Sequence, residues 1–184
     1  MIITLTQEEV DKCRQFAIDS VGTSTSFYAT RNQFNTKKIE EDIFIGKIGE
    51  FGVWHYYNNL TKFPLSEPDT KIYETGQKNF NADLTCLERH VHVKTQSIDS
   101  AFMFGTSWIM QKNDPVLKHP ISEDRLAFCL SKGHKVNVLA ILPVIRVIDL
   151  NLIKQPRLDK FIGNKISIYY EDMKSLPYEE LWSM

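Results

Sequence analysis

Apolar residues first recur at helical spacing in Val10, Cys13, Phe16 and Ala17. Thr6 with Glu9 three positions later has the spacing of a capping box, so the pattern predicts a helix over residues 6 to 19 that frays at Val21 and Gly22. Residues 23 to 35 are rich in hydroxyls and amides and lack periodicity, which predicts a loop. A second helix is predicted over residues 38 to 59, with Ile39, Ile43, Ile48, Phe51 and Trp54 supplying much of its apolar surface. Residues 62 to 80 hold Pro64, Pro68 and Gly76 and read as an irregular connection with one short strand around Ile72 and Tyr73. A hairpin signal follows, residues 81 to 86 and 89 to 96 about a turn at Leu87 and Glu88. The short apolar runs at 126 to 130 and 136 to 144 fit buried strands. The tail carries a strand candidate at 166 to 170 and a short helix opened by Pro177. Together these elements predict an α/β fold, a central mixed sheet flanked by helices.

The chain has 184 residues, 24% of them charged and 42% hydrophobic. One domain over 1–184 is the expected organisation: a helical part over 1–60, a sheet core over about 70–145 and an extension over 146–184. Twenty-two Lys and Arg against twenty-three Asp and Glu leave a net charge of −1, so a polyanion must be gripped by a local basic face and not by bulk charge. No apolar run approaches the ~20 residues that cross a bilayer. Residues 1 to 4 lead into an acidic helix start and not into a charged and then apolar leader, so a cytoplasmic location is expected. Cys13, Cys86 and Cys129 are odd in number and far apart, which argues against a disulfide framework or a zinc knuckle and for buried, reduced thiols.

Two segments carry candidate chemistry. The second helix contains Gly46-Lys47-Ile48-Gly49-Glu50-Phe51-Gly52, and each glycine costs roughly 1 kcal/mol against alanine in a helix interior. Close approach to another backbone would offset that cost, with Gly46 and Gly49 as neighbours on the helix surface. Glu50 projects from a largely apolar stripe, where a carboxylate is expensive unless paired or metal-bound; the plainer alternative is a solvated pair with Lys47. On the second hairpin strand His90, His92, Lys94 and Gln96 share one face and Val91, Val93 and Thr95 the other. If the turn centres on Leu87 and Glu88, the antiparallel register sets Asp83 opposite His92. A one-residue slip would turn Asp83 away, and a solvated polar strand face remains the alternative.

This order of features resembles the PD-(D/E)XK nuclease superfamily: Gly46 to Glu50 on a helix, Asp83-Leu84 opening a hairpin, then Val93-Lys94-Thr95-Gln96 closing it. The likeness is to the small stand-alone, often phage-encoded members, and covers roughly residues 39 to 144. It implies a restriction-endonuclease-like core and a metal-dependent deoxyribonuclease using Mg²⁺ or Mn²⁺. By the same resemblance Asp83 would ligate the cation, Glu50 would complete the metal site, and Lys94 would orient water and stabilise charge on the phosphate. Gln96 would support Lys94 or touch the DNA backbone. The chemistry suits the residue types, because phosphodiester hydrolysis needs a hard cation on oxygen ligands and a positive charge near the nonbridging oxygens.

His92 stands where the family has an acid. Three explanations are open: His92 is itself a ligand and shifts the preference toward Mn²⁺ or Zn²⁺; another carboxylate, Glu50 first, replaces the missing one; or the site is degenerate and the protein binds DNA or another protein without cutting. Asp69 of a literal Pro68-Asp69, and Glu74, are held in reserve for the hairpin aspartate. Arg31, Lys47, Trp108 and Lys112 are the candidate nucleic-acid contacts, with Lys37 and Lys38 beside Arg31. Core packing is the plainer role for Trp108, and surface loops for His119 and His134. DNA is the expected partner, and a homodimer is left open.

Overall fold

The computed structural model describes residues 1–29, 33–60, 64–73, 82–86 and 89–182. It opens with a short strand, β1 (Ile2–Thr4), and two helices, α1 (Gln7–Ala29) and α2 (Thr36–Leu60). The expected capping box forms: the Thr6 N–H donates to Glu9 Oε2 at 2.8 Å, and the Glu9 N–H donates to Thr6 Oγ1 at 3.3 Å. Beyond residue 19 the helix continues where a loop was expected. Thr23 and Thr25 turn their hydroxyls back onto the carbonyls of Ser20 and Gly22, so part of the polar run bonds within the helix that carries it.

Residues 64–73 form neither helix nor strand, and the hairpin β2 (Leu84–Cys86) and β3 (Arg89–Ser97) leads through α3 (Ile98–Phe104), β4 (Ser107–Gln111) and α4 (Pro115–Lys118) to β5 (Asp124–Lys132) and β6 (Lys135–Pro143). No strand forms at Ile72 and Tyr73. The chain ends with α5 (Val144–Asp149), β7 (Ile153–Lys154), a 3₁₀ turn, β8 (Lys165–Tyr169), α6 (Tyr170–Met173) and α7 (Tyr178–Leu181).

The main sheet is mixed, in the order β1-β6-β5-β3-β2, and β3 with β5 is its parallel pair. The helices α1 and α2 cover one face, burying Ile48, Phe51 and Tyr57 against Val91, Ala127 and Cys129. A second sheet, β4-β8-β7, joins α5 over the other face, with Trp108 and Ile168 against Leu126, Phe128 and Leu142. Because β5 is covered on both sides, it reads in sequence as a continuous apolar run rather than an alternation. No β3 residue belongs to the second core. That face of β3 is left polar, and α4 with the segment after it stands over it.

Two glycines set how closely α2 lies on the sheet. A Cβ on Gly49 would stand 1.7 Å from Thr95 Oγ1, and one on Gly52 2.5 Å from Val136 Cγ1, whereas one on Gly46 would meet nothing within 4 Å. Close approach is therefore the reason for Gly49 and Gly52. The expected pairing of Gly46 with Gly49 is corrected.

Candidate active site on the polar face of the hairpin strand

Period-two alternation along β3 sends Val91 and Val93 into the helix-side core and Thr95 against Gly49. His90, His92, Lys94 and Gln96 therefore face the other way. All four meet groups contributed by neighbouring elements. In the parallel register His90 is opposite Asp124, the first residue of β5. Asp124 Oδ1 lies 3.3 Å from His90 Nδ1 and 3.7 Å from His92 Nε2, while Oδ2 accepts the Ile121 N–H at 3.0 Å. The Asp124 side chain is only 9% exposed. Lys94 Nζ stands 3.7 Å from Asp114 Oδ2, and the other oxygen of Asp114 caps α4 through the Val116 N–H. His90, His92, His119 and Asp124, with Val116 and Ile121, line a cavity of about 460 Å³.

Burial pushes the His92 imidazole below its ordinary value; Asp83, Asp124 and Asp114 oppose that shift and Lys94 adds to it. Burial therefore favours the neutral ring, the form in which imidazole nitrogen can accept a cation. Gln96 is differently engaged. Its Nε2 donates to the Gly105 carbonyl at 3.1 Å and its Oε1 accepts the Ser107 N–H at 3.0 Å, so both ends of the amide tie β3 to the connection between α3 and β4. The expected support of Lys94 by Gln96 is absent from its bonds.

The hairpin register is the one expected from the turn: Leu84 opposes Val91, Thr85 opposes His90 and Cys86 opposes Arg89. Asp83 is the residue just before β2. Its Oδ2 accepts the Val93 N–H at 2.6 Å, which fixes the carboxylate against β3, and Oδ1 has no hydrogen bond among the described residues. The charge of Asp83 acts on His92 and also on Glu50.

Glu50 has a partner of its own. Lys47 Nζ lies 2.5 Å from Glu50 Oε2 and donates to the Asp69 carbonyl at 2.7 Å, with Lys47 and Glu50 side chains 8% and 13% exposed. Burial raises the Glu50 carboxyl to about 8, against the opposing pull of Lys47, and Asp83 and Asp69 add to the rise. The expected pair exists, but in the interior rather than in solvent. Lys47 is correspondingly unavailable to a nucleic acid.

Trp108 is 2% exposed and donates its Nε1 proton to the Cys129 carbonyl at 2.9 Å, so it offers no ring face for stacking. Lys112 is exposed on the turn after β4. Arg31, Glu74 and the turn residues Leu87 and Glu88 lie outside the described residues. The Asp69 side chain accepts from Tyr73 and the Lys71 N–H. All three cysteines are buried and free.

Asp114, Asp124 and His119 join the polar face although only His119 was considered in the sequence. The visible signal for Asp114 is the Asp-Pro step that opens α4; for Asp124 it is an acid at the head of an apolar strand. Among the described residues no three or more His, Cys, Asp or Glu form a group able to hold a metal ion by themselves. No helix among them is long and apolar enough to cross a membrane. Compared with known proteins, the chain matches no family model, no curated protein and no solved structure.

Proposed function

We propose that this protein is a metal-dependent nuclease that hydrolyses DNA phosphodiester bonds on a restriction-endonuclease-like core. The observation that carries the reading is the grouping of Asp83, His92 and Lys94 about the middle of β3. Asp83, anchored through the Val93 N–H, and Lys94 both act electrostatically on the His92 imidazole there. The parallel β3–β5 pair within a helix-flanked mixed sheet is compatible with the same architecture.

The donor set fits a small divalent cation. Asp83 has one carboxylate oxygen without a hydrogen bond among the described residues, and burial favours the neutral form of His92. Such ions are commonly held by one or two carboxylates, with water and substrate phosphate filling the other positions, so a complete protein cage is not required. Asp83 and His92 would hold Mg²⁺ or Mn²⁺, which when bound supplies Lewis acidity to the phosphodiester and lowers the pKa of an attacking water. Lys94 brings a positive charge to the same face, where it can stabilise the extra negative charge on the nonbridging oxygens as water adds and the leaving oxygen departs. Asp114 orients that ammonium. Glu50, already paired with Lys47, is not a free ligand.

A binding protein without cleavage is the second reading, favoured by the imidazole in place of an acid and by the engaged Glu50. Incubation with linear and circular, single- and double-stranded DNA in Mg²⁺, Mn²⁺ or EDTA separates the two. The nuclease reading expects cleavage that EDTA stops and that Asp83→Asn, which removes a charge at constant shape, abolishes without loss of folding. DNA retarded but never cut in any cation would leave the binder, and neither result would discard both.

A further inference from the structure

We infer that Asp124, at the head of β5, is a metal ligand that takes the place of the carboxylate missing at position 92, so that a cation of the Mn²⁺ class sits between Asp124 and His92. This rests on the nuclease reading for its purpose but on separate residues for its geometry.

Asp124 is held from two sides. Its backbone N–H donates to the Ile121 carbonyl at 3.1 Å, and its Oδ2 accepts from the Ile121 N–H at 3.0 Å. The other oxygen, Oδ1, is hydrogen-bonded to His90 Nδ1 at 3.3 Å and lies 3.7 Å from His92 Nε2, and Asp124 lines the cavity with both histidines. The second distance is too long for a direct hydrogen bond. The Asp124 carboxylate and the His92 nitrogen are thus brought near each other without a direct bond, and the His90 hydrogen bond holds Oδ1 in that position.

Charge points the same way. Asp124 is only 9% exposed, and the ionisable groups that approach it are the imidazoles of His90 and His92. A buried carboxylate is costly without a counter-charge, and a divalent cation would supply one. The cavity of about 460 Å³ lined by His90, His92, His119 and Asp124 has room for a hydrated ion and a phosphate group. One imidazole with carboxylate oxygens favours Mn²⁺ over Mg²⁺, because nitrogen is a poorer partner for the harder ion.

Titration of the purified protein with MnCl₂, followed by calorimetry and by electron paramagnetic resonance, tests the assignment beside a DNA-cleavage assay. Wild type should bind Mn²⁺, and Asp124→Asn should bind it about tenfold or more weakly with an unchanged circular dichroism spectrum. Pulsed resonance of Mn²⁺ on the unaltered wild type should show coupling to an imidazole nitrogen, a readout that needs no variant to fold. Binding by Asp124→Asn within twofold of wild type, no imidazole coupling, or no Mn²⁺ binding by wild type would each overturn the proposal. If wild type cuts DNA and Asp124→Asn binds Mn²⁺ normally, this inference fails and the nuclease reading stands. If Asp124 proves a ligand but no DNA is cut, the metal site stands and the nuclease reading falls.

Discussion

Replacing Gly49 by alanine should destabilise the protein, although alanine is the better helix former. The added Cβ would lie 1.7 Å from Thr95 Oγ1, 2.9 Å from its Cβ and 3.1 Å from its Cγ2, where ordinary contact begins at 3.4 Å. Rotating Thr95 gives no relief, since its Cβ is itself too near and its two branches leave few rotamers. The helix must lift from β3 or the strand must yield. Overpacking of this kind costs ~1–3 kcal/mol, and the helix-propensity gain returns at most about 1 kcal/mol. At Gly46 the gain comes free of contact, because nothing lies within 4 Å of the new methyl.

Gly46→Ala and Gly49→Ala share the propensity gain and should therefore differ by the overpacking cost, about 1–3 kcal/mol in stability, which in a chain of this size is roughly 2–12 °C in melting temperature. Thermal unfolding and urea titration measure the gap. Adding Thr95→Ala to Gly49→Ala should recover part of the loss, because it removes two of the three offending atoms and a buried hydroxyl that has no hydrogen-bond partner. Since Glu50 is the next residue, the lifted helix should also disturb its pair with Lys47. A Gly49→Ala protein that melts at or above Gly46→Ala would refute the close-approach argument.

Lys94→Ala should lower cleavage by about 10²–10³-fold with little effect on melting, because it removes a charge that matters most as the phosphate gains negative charge; single-turnover assays check it, and unaltered cleavage would count against the site. His92→Glu should move the metal preference of cleavage from Mn²⁺ toward Mg²⁺ by restoring an all-oxygen donor set, read from rates across a series of cations. In Glu9, burial raises the carboxyl, but the Thr6 backbone bond and His55 outweigh it, so the folded value is lowered. Its contribution is thus present above the ordinary carboxylate range and lost as pH falls through the folded value. Glu9→Gln should cost up to about 1 kcal/mol at pH 7 and nothing measurable near pH 3, by urea midpoints at both.

Local pattern carried the elements whose burial is one-sided or complete. The apolar stripe of α2, the alternation of β3 and the continuous runs of β5 and β6 were all legible. The extension of α1 was hidden because hydroxyls that usually favour turns can bond back to a helix carbonyl instead, as Thr23 and Thr25 do. Strands of two or three residues, such as β1 and β7, are too short to show a period. Helix α3 was missed for a different reason: Ile98 and Phe102 to Phe104 are partly or largely exposed, so no buried stripe marks it.

The site divides along the same physical line. Residues within the hairpin could be placed because a short turn between Cys86 and Arg89 fixes antiparallel register, and with it the position of Asp83 relative to His92. Asp124 could not, because the parallel partner of β3 arrives only after α3, β4 and α4, and no turn chemistry sets how far β5 slides against it. A slide of two residues would keep the same face yet move the carboxylate opposite His92 or clear of the pair. The histidine at position 92 thus read as a lost acid when only its own strand was in view. With β5 in register, a carboxylate lies 3.7 Å from that imidazole, supplied from the adjacent strand.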